Sequence, residues 1–80
     1  MISKYNLNES EMVEVFKTNV EHPEHSEMLI GQLINQIPNS QINFDLEDCD
    51  KILRIEAESV SNQLIIEILH QNGYYAEVLI

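Results

Sequence analysis

Two short alternating runs near the middle of the chain constrain the fold most. Ile42, Phe44 and Leu46 alternate with Gln41, Asn43, Asp45 and Glu47, and Leu53, Ile55 and Ala57 alternate with Ile52, Arg54 and Glu56. A period of two puts every second side chain on one face of an extended strand. Glu47-Asp48-Cys49-Asp50 lies between the runs as a short polar turn, so the pair reads as an antiparallel hairpin with one apolar face. That face needs a cover, and the flanking sequence supplies it as helices.

On the N-terminal side, Pro23 suits the first position of a helix, where its missing N–H is not needed and its φ is preset. Glu24 and Glu27 fall near that helix start, favourable to its dipole. Met28, Leu29, Leu33 and Ile37, with Ile30 and Ile34 beside them, recur at helical spacing until Pro38-Asn39-Ser40 ends the run. Gly31 within this helix costs about 1 kcal/mol relative to Ala, which implies either close packing or simple tolerance. On the C-terminal side, Ser59 reads as the N-cap of a second helix. Leu64, Ile65, Ile66, Ile68 and Leu69 form its apolar side, and Gly73 stops it.

Strands bracket the whole. Met12–Val20 is rich in β-branched and aromatic residues, with two candidate inward sets, Val13/Val15 or Phe16/Thr18/Val20. Tyr74-Tyr75-Ala76-Glu77-Val78-Leu79-Ile80 closes the chain as a last strand. Residues 1–10 are polar and unpatterned, an N-terminal extension to a domain over 11–80. The order β-α-β-β-α-β with right-handed crossovers predicts an α+β, ferredoxin-like sandwich: a four-stranded antiparallel sheet with two helices on one face.

Charge and composition then narrow the function. Fourteen Asp and Glu against four Lys and Arg leave a net charge of −10. The phosphate-neutralising side chains that nucleic-acid binding needs are missing, and anionic membranes are disfavoured for the same reason. Cations and partners with a basic face are favoured. A lone Cys49 forms no internal disulfide, no targeting signal is visible, and no run approaches the roughly 20 apolar residues of a membrane span; a cytoplasmic location is expected. With two glycines there is no phosphate cradle, no serine sits on a nucleophile elbow, and a small filled core offers little pocket, so no enzyme is expected. Asp45, Glu47, Asp48 and Asp50 lack the EF-hand pattern and read as a solvated hairpin tip.

His22-Pro23-Glu24-His25 is the motif that carries chemistry. The chain around it resembles heavy-metal-associated domains over roughly residues 12–80. Val20 matches the buried residue before that family's metal loop, and Leu29 and Leu33 match the helix after it. Ile37-Pro38-Asn39 stands where Leu-Pro-Gly is common, and Ile66-Glu67-Ile68-Leu69 with Gly73-Tyr74 matches the second helix and its exit. The family's Cys-x-x-Cys falls on His22 and His25, at the same spacing and without a thiol. Soft thiolates suit Cu(I) exchange, whereas imidazoles suit a divalent ion such as Zn, Cu or Ni.

The expected topology gathers further donors. The end of the first strand, the hairpin turn and the exit of the second helix share one end of the domain, so Cys49 and His70 are candidate additional ligands and Tyr74 a candidate support beside them. Two functions follow as expectations. One is metal binding or handling through His22 and His25; the other is a metal-free module that binds a basic protein, or dimerises through an open sheet edge.

Overall fold

The computed structural model describes residues 12–79. The expected extension over 1–10 lies outside that range, as does Ile80 at the end of the expected last strand. The elements run β1 (Met12–Thr18), α1 (Pro23–Gln36), β2 (Gln41–Asp45), β3 (Ile52–Ala57), α2 (Asn62–Gln71) and β4 (Ala76–Leu79). All four strands join one sheet in the order β2-β3-β1-β4, and every pairing is antiparallel. This is the α+β, ferredoxin-like layout, each helix connecting two parallel strands that have a third strand between them.

Register settles which face of β1 is inward. Phe16 pairs with Leu53 on β3 and Val78 on β4, and Ile55 pairs with Ile42 on β2. Pairing keeps opposed residues on one face, so Phe16 and Thr18 join the apolar side, with Val20 buried just beyond them. Val13, Val15 and Lys17 belong to the opposite face, where Arg54 and Glu56 pair with the two valines. Leu29, Leu33, Ile65, Ile68 and Leu69 close over the inward face to make one core. Burying each such side chain fully stabilises by roughly 1.5–3 kcal/mol.

Helix boundaries follow local chemistry. Pro23 opens α1 with His22 as N-cap, and Ile37 ends it by donating its N–H to the Leu33 carbonyl. Asn39 turns the chain at φ 66°, and the Ser40 hydroxyl donates to the Ile37 carbonyl at 2.6 Å. Met28 and Ile34, expected on the apolar side of α1, stay exposed; Leu29 and Leu33 supply the buried contacts. Nothing lies within 4 Å of a Cβ built on Gly31, so that glycine is tolerated rather than required by close packing.

The second helix corrects one expectation. Its N-cap is Ser61, whose hydroxyl accepts from the Leu64 N–H, and not Ser59. The hydroxyl must sit one residue before the first helical turn to reach an unpaired N–H, and Ser59 lies too early in the chain. At the other end, Gly73 has φ 89°, its N–H bonds to the His70 carbonyl, and the Tyr74 N–H bonds to the Leu69 carbonyl. These two bonds make a Schellman ending, and the left-handed residue in it is the glycine expected there.

Candidate metal site at the start of the first helix

The loop after β1 is fixed by side chains that no sequence pattern distinguishes. Thr18 is 3% exposed; its hydroxyl donates to the Lys51 carbonyl at 2.6 Å and accepts from the Val20 N–H at 3.2 Å. The Thr18 N–H donates to the Asp50 carbonyl at 3.0 Å, so the end of β1 is tied to the hairpin turn. Asn19 accepts the Tyr75 N–H at 3.0 Å and ties the same loop to the approach of β4. Alternation marks Thr18 only as one of two candidate faces, and nothing in the pattern marks Asn19.

His22 and His25 rise from this braced loop. The His22 carbonyl accepts the N–H groups of His25 and Ser26, while its side chain makes no capping bond. The two imidazole centroids are 5.0 Å apart with ring planes at 72°. Two imidazoles bound to one tetrahedral ion at about 2.0–2.1 Å would hold their centroids about 5 Å apart, a separation similar to the one seen here. His22 is exposed and His25 half-buried.

Tyr74 reaches this pair from the Schellman ending of α2. Its hydroxyl is 2.5 Å from His25 Nδ1. With Nδ1 engaged, Nε2 is the nitrogen of His25 left to face a ligand; if Nδ1–H donates to the phenol oxygen, Nε2 carries a free lone pair. The structure thus brings together His22, His25 and Tyr74, three of the residues singled out from the sequence.

Cys49 and His70 do not join them in a ligand cluster. Among the described residues, Asp48, Cys49 and Asp50 are the group of three or more His, Cys, Asp or Glu whose ligand atoms lie within 4.8 Å of one another. Cys49 is exposed in the hairpin turn, where the Asp48 carboxylate accepts the Asp50 N–H at 2.8 Å. His70 is exposed in the last turn of α2, a position where a cation complements the helix dipole. The histidine pair therefore offers two imidazoles, short of the four donors of a closed structural zinc site.

The surroundings are acidic. Glu21, Glu24 and Glu27 flank the pair on the exposed side, with Asp45, Glu47 and Asp48 exposed around the hairpin turn. Both nearby cations are engaged: Lys17 Nζ is 3.8 Å from Asp50, and Lys51 Nζ donates to the Leu46 carbonyl at 2.9 Å. A cleft of about 280 Å³ lies at the other end of α1, lined by Ile37, Pro38, Ala57, Ser59, Ser61 and Leu64. It is a helix length away, about 20 Å for 14 residues, and has no His or Cys in its lining. No helix among the described residues is long and apolar enough to cross a membrane.

The fold has a solved counterpart. The N-terminal domain of PacS from Synechocystis PCC6803 superposes with a TM-score of 0.63 at 14% sequence identity, over 86% of this chain and 98% of that one. No family model matches the sequence, and no curated protein matches it.

Proposed function

We propose that this domain binds a divalent transition-metal ion, of the zinc, copper or nickel class, through His22 and His25. The observation that carries the reading is the pair itself: two imidazoles with centroids 5.0 Å apart at the head of α1, one of them held by Tyr74. The reading is supported by the sequence resemblance to heavy-metal-associated domains, in which His22 and His25 fall where that family carries its metal-binding pair, and by the fold shared with the PacS domain. Tyr74 orients His25, while Cys49 and His70 stand outside the coordination shell. Water or a partner's side chain completes the shell, which leaves the ion exchangeable. The role is therefore metal handling rather than structural support.

The test is titration with Zn(II), Cu(II) and Ni(II), followed by NMR for the first and by ligand-field spectra for the other two. Binding shifts the His22 and His25 ring signals and the Tyr74 ring, and the His22→Ala/His25→Ala variant loses the response while remaining folded. Unmoved ring signals at millimolar Zn(II), or an equal response in the double variant, reject the proposal.

A second reading rests on the acidic surround, in which the two nearby cations are already engaged. It makes this end of the domain a metal-free docking face for a basic protein surface. A complex that survives chelation and the double histidine variant supports it; loss under both conditions returns the interaction to the metal.

A further inference from the structure

Asn72-Gly73 is the one Asn-Gly step in the chain. Such a step has an intrinsic reaction of its own. The backbone nitrogen of the following residue, once deprotonated, attacks the carboxamide carbon of the asparagine. A carbon–nitrogen bond forms, ammonia leaves, and a five-membered succinimide results. Water then opens the ring at either carbonyl, giving aspartate or isoaspartate, with no change of oxidation state. Glycine favours the attack because no Cβ shields its nitrogen and its backbone turns freely.

The folded domain occupies both reacting groups. The Gly73 N–H donates to the His70 carbonyl at 3.0 Å within the Schellman ending. The Asn72 carboxamide donates from Nδ2 to the Ile68 carbonyl at 2.8 Å and to Gln32 Oε1 at 3.0 Å, and its Oδ1 accepts from Gln32 Nε2 at 3.2 Å. The electrophile is thus held by the α2 backbone and by α1, while the nucleophile is committed to the helix end. We infer that Asn72 is a deamidation site that the fold holds shut and that opening of the last turn of α2 releases.

The product changes the place where the two helices meet. A carboxylate at position 72 has no hydrogen to give to the Ile68 carbonyl or to Gln32 Oε1, so the Nδ2 contacts are lost. It also places a negative charge at the C-terminus of α2, the end of the dipole that repels it. Two residues further on, Tyr74 meets His25, so the modification loosens the segment that delivers the phenol. None of this depends on a bound metal.

The experiment incubates the full chain at neutral pH, folded in buffer and unfolded in urea, and follows Asn72 by peptide mapping with mass spectrometry. Asn39-Ser40 serves as the internal comparison. Asn72 should convert at least about tenfold more slowly in the folded protein than in urea, the factor set by a local opening step. Gln32→Ala should speed the folded-state reaction and leave the rate in urea unchanged. Gln32→Met, which keeps side-chain bulk without the amide, supplies the same comparison if the alanine variant unfolds. Equal rates in buffer and urea, or no conversion at Asn72 in urea, overturn the inference. So does a folded-state rate that neither Gln32 variant moves.

Discussion

Thr18 shows how much of this site depends on one hydroxyl. It is buried, and it serves the Lys51 carbonyl and the Val20 N–H at once. Thr18→Val keeps the shape but leaves both backbone groups without that partner, so it should destabilise by about 1–3 kcal/mol in urea unfolding. A cost of a few tenths would mean that water replaces the hydroxyl. Tyr74 carries a different consequence. Tyr74→Phe removes the contact to His25 while keeping the ring, and on the proposed function it should weaken metal binding by about tenfold or more with little change in stability. Calorimetric titration beside the parent protein measures this, and unchanged affinity would separate Tyr74 from the site. Topology brings the loops of His22, His25 and Tyr74 to one end and makes their proximity legible in the sequence, but it gathers Cys49 and His70 by the same argument and could not tell which side chains meet. Thr18 was not legible, because a threonine in a β-branched run looks alike facing in or out until the neighbouring strands fix its register.

At the scale of the element, the two glycines invite opposite substitutions. Gly31 lies in the exposed part of α1 with open space around it, so Gly31→Ala should stabilise by about 0.5–1 kcal/mol through helix propensity. Gly73 has open space too, but its φ of 89° strains any side chain. Gly73→Ala should therefore destabilise by about 1–2 kcal/mol. Two changes of the same atoms with opposite signs in thermal melts would show that backbone conformation, and not packing, decides both. The serines separate in the same way. Ser61→Ala should cost about 1 kcal/mol and Ser59→Ala almost nothing, since only the former caps α2. The existence and order of the elements were readable from the spacing of apolar residues. The cap was not, because Ser59-Val60-Ser61 offers two serines and the choice depends on where Ala57 leaves the sheet. The exposure of Met28 and Ile34 was hidden too, since six apolar residues fit the α1 pattern and the sheet has room for fewer.

At the scale of the whole molecule, the charge of −10 has a consequence for stability that the ion pairs do not offset. The described residues contain two ion pairs, Lys17 with Asp50 at 3.8 Å and Arg54 with Glu56 at 3.6 Å, both at the surface with at least one partner partly buried, and each worth about 0–1 kcal/mol. Lys51 lies against a carbonyl. The remaining carboxylates of the described residues therefore repel one another, and folding brings them closer together than they are in the extended chain. Salt screens that repulsion as the Debye length falls from about 30 Å at 0.01 M to about 10 Å at 0.1 M. Added sodium chloride should raise the urea midpoint by the equivalent of about 1 kcal/mol while the slope stays constant, because the surface exposed on unfolding is the same. Urea is the denaturant of choice here, since guanidinium is itself a salt and would screen as it unfolds. A midpoint that fell with salt would mean that the two ion pairs outweigh the repulsion. A slope that changed with salt would place the effect in the unfolded chain instead.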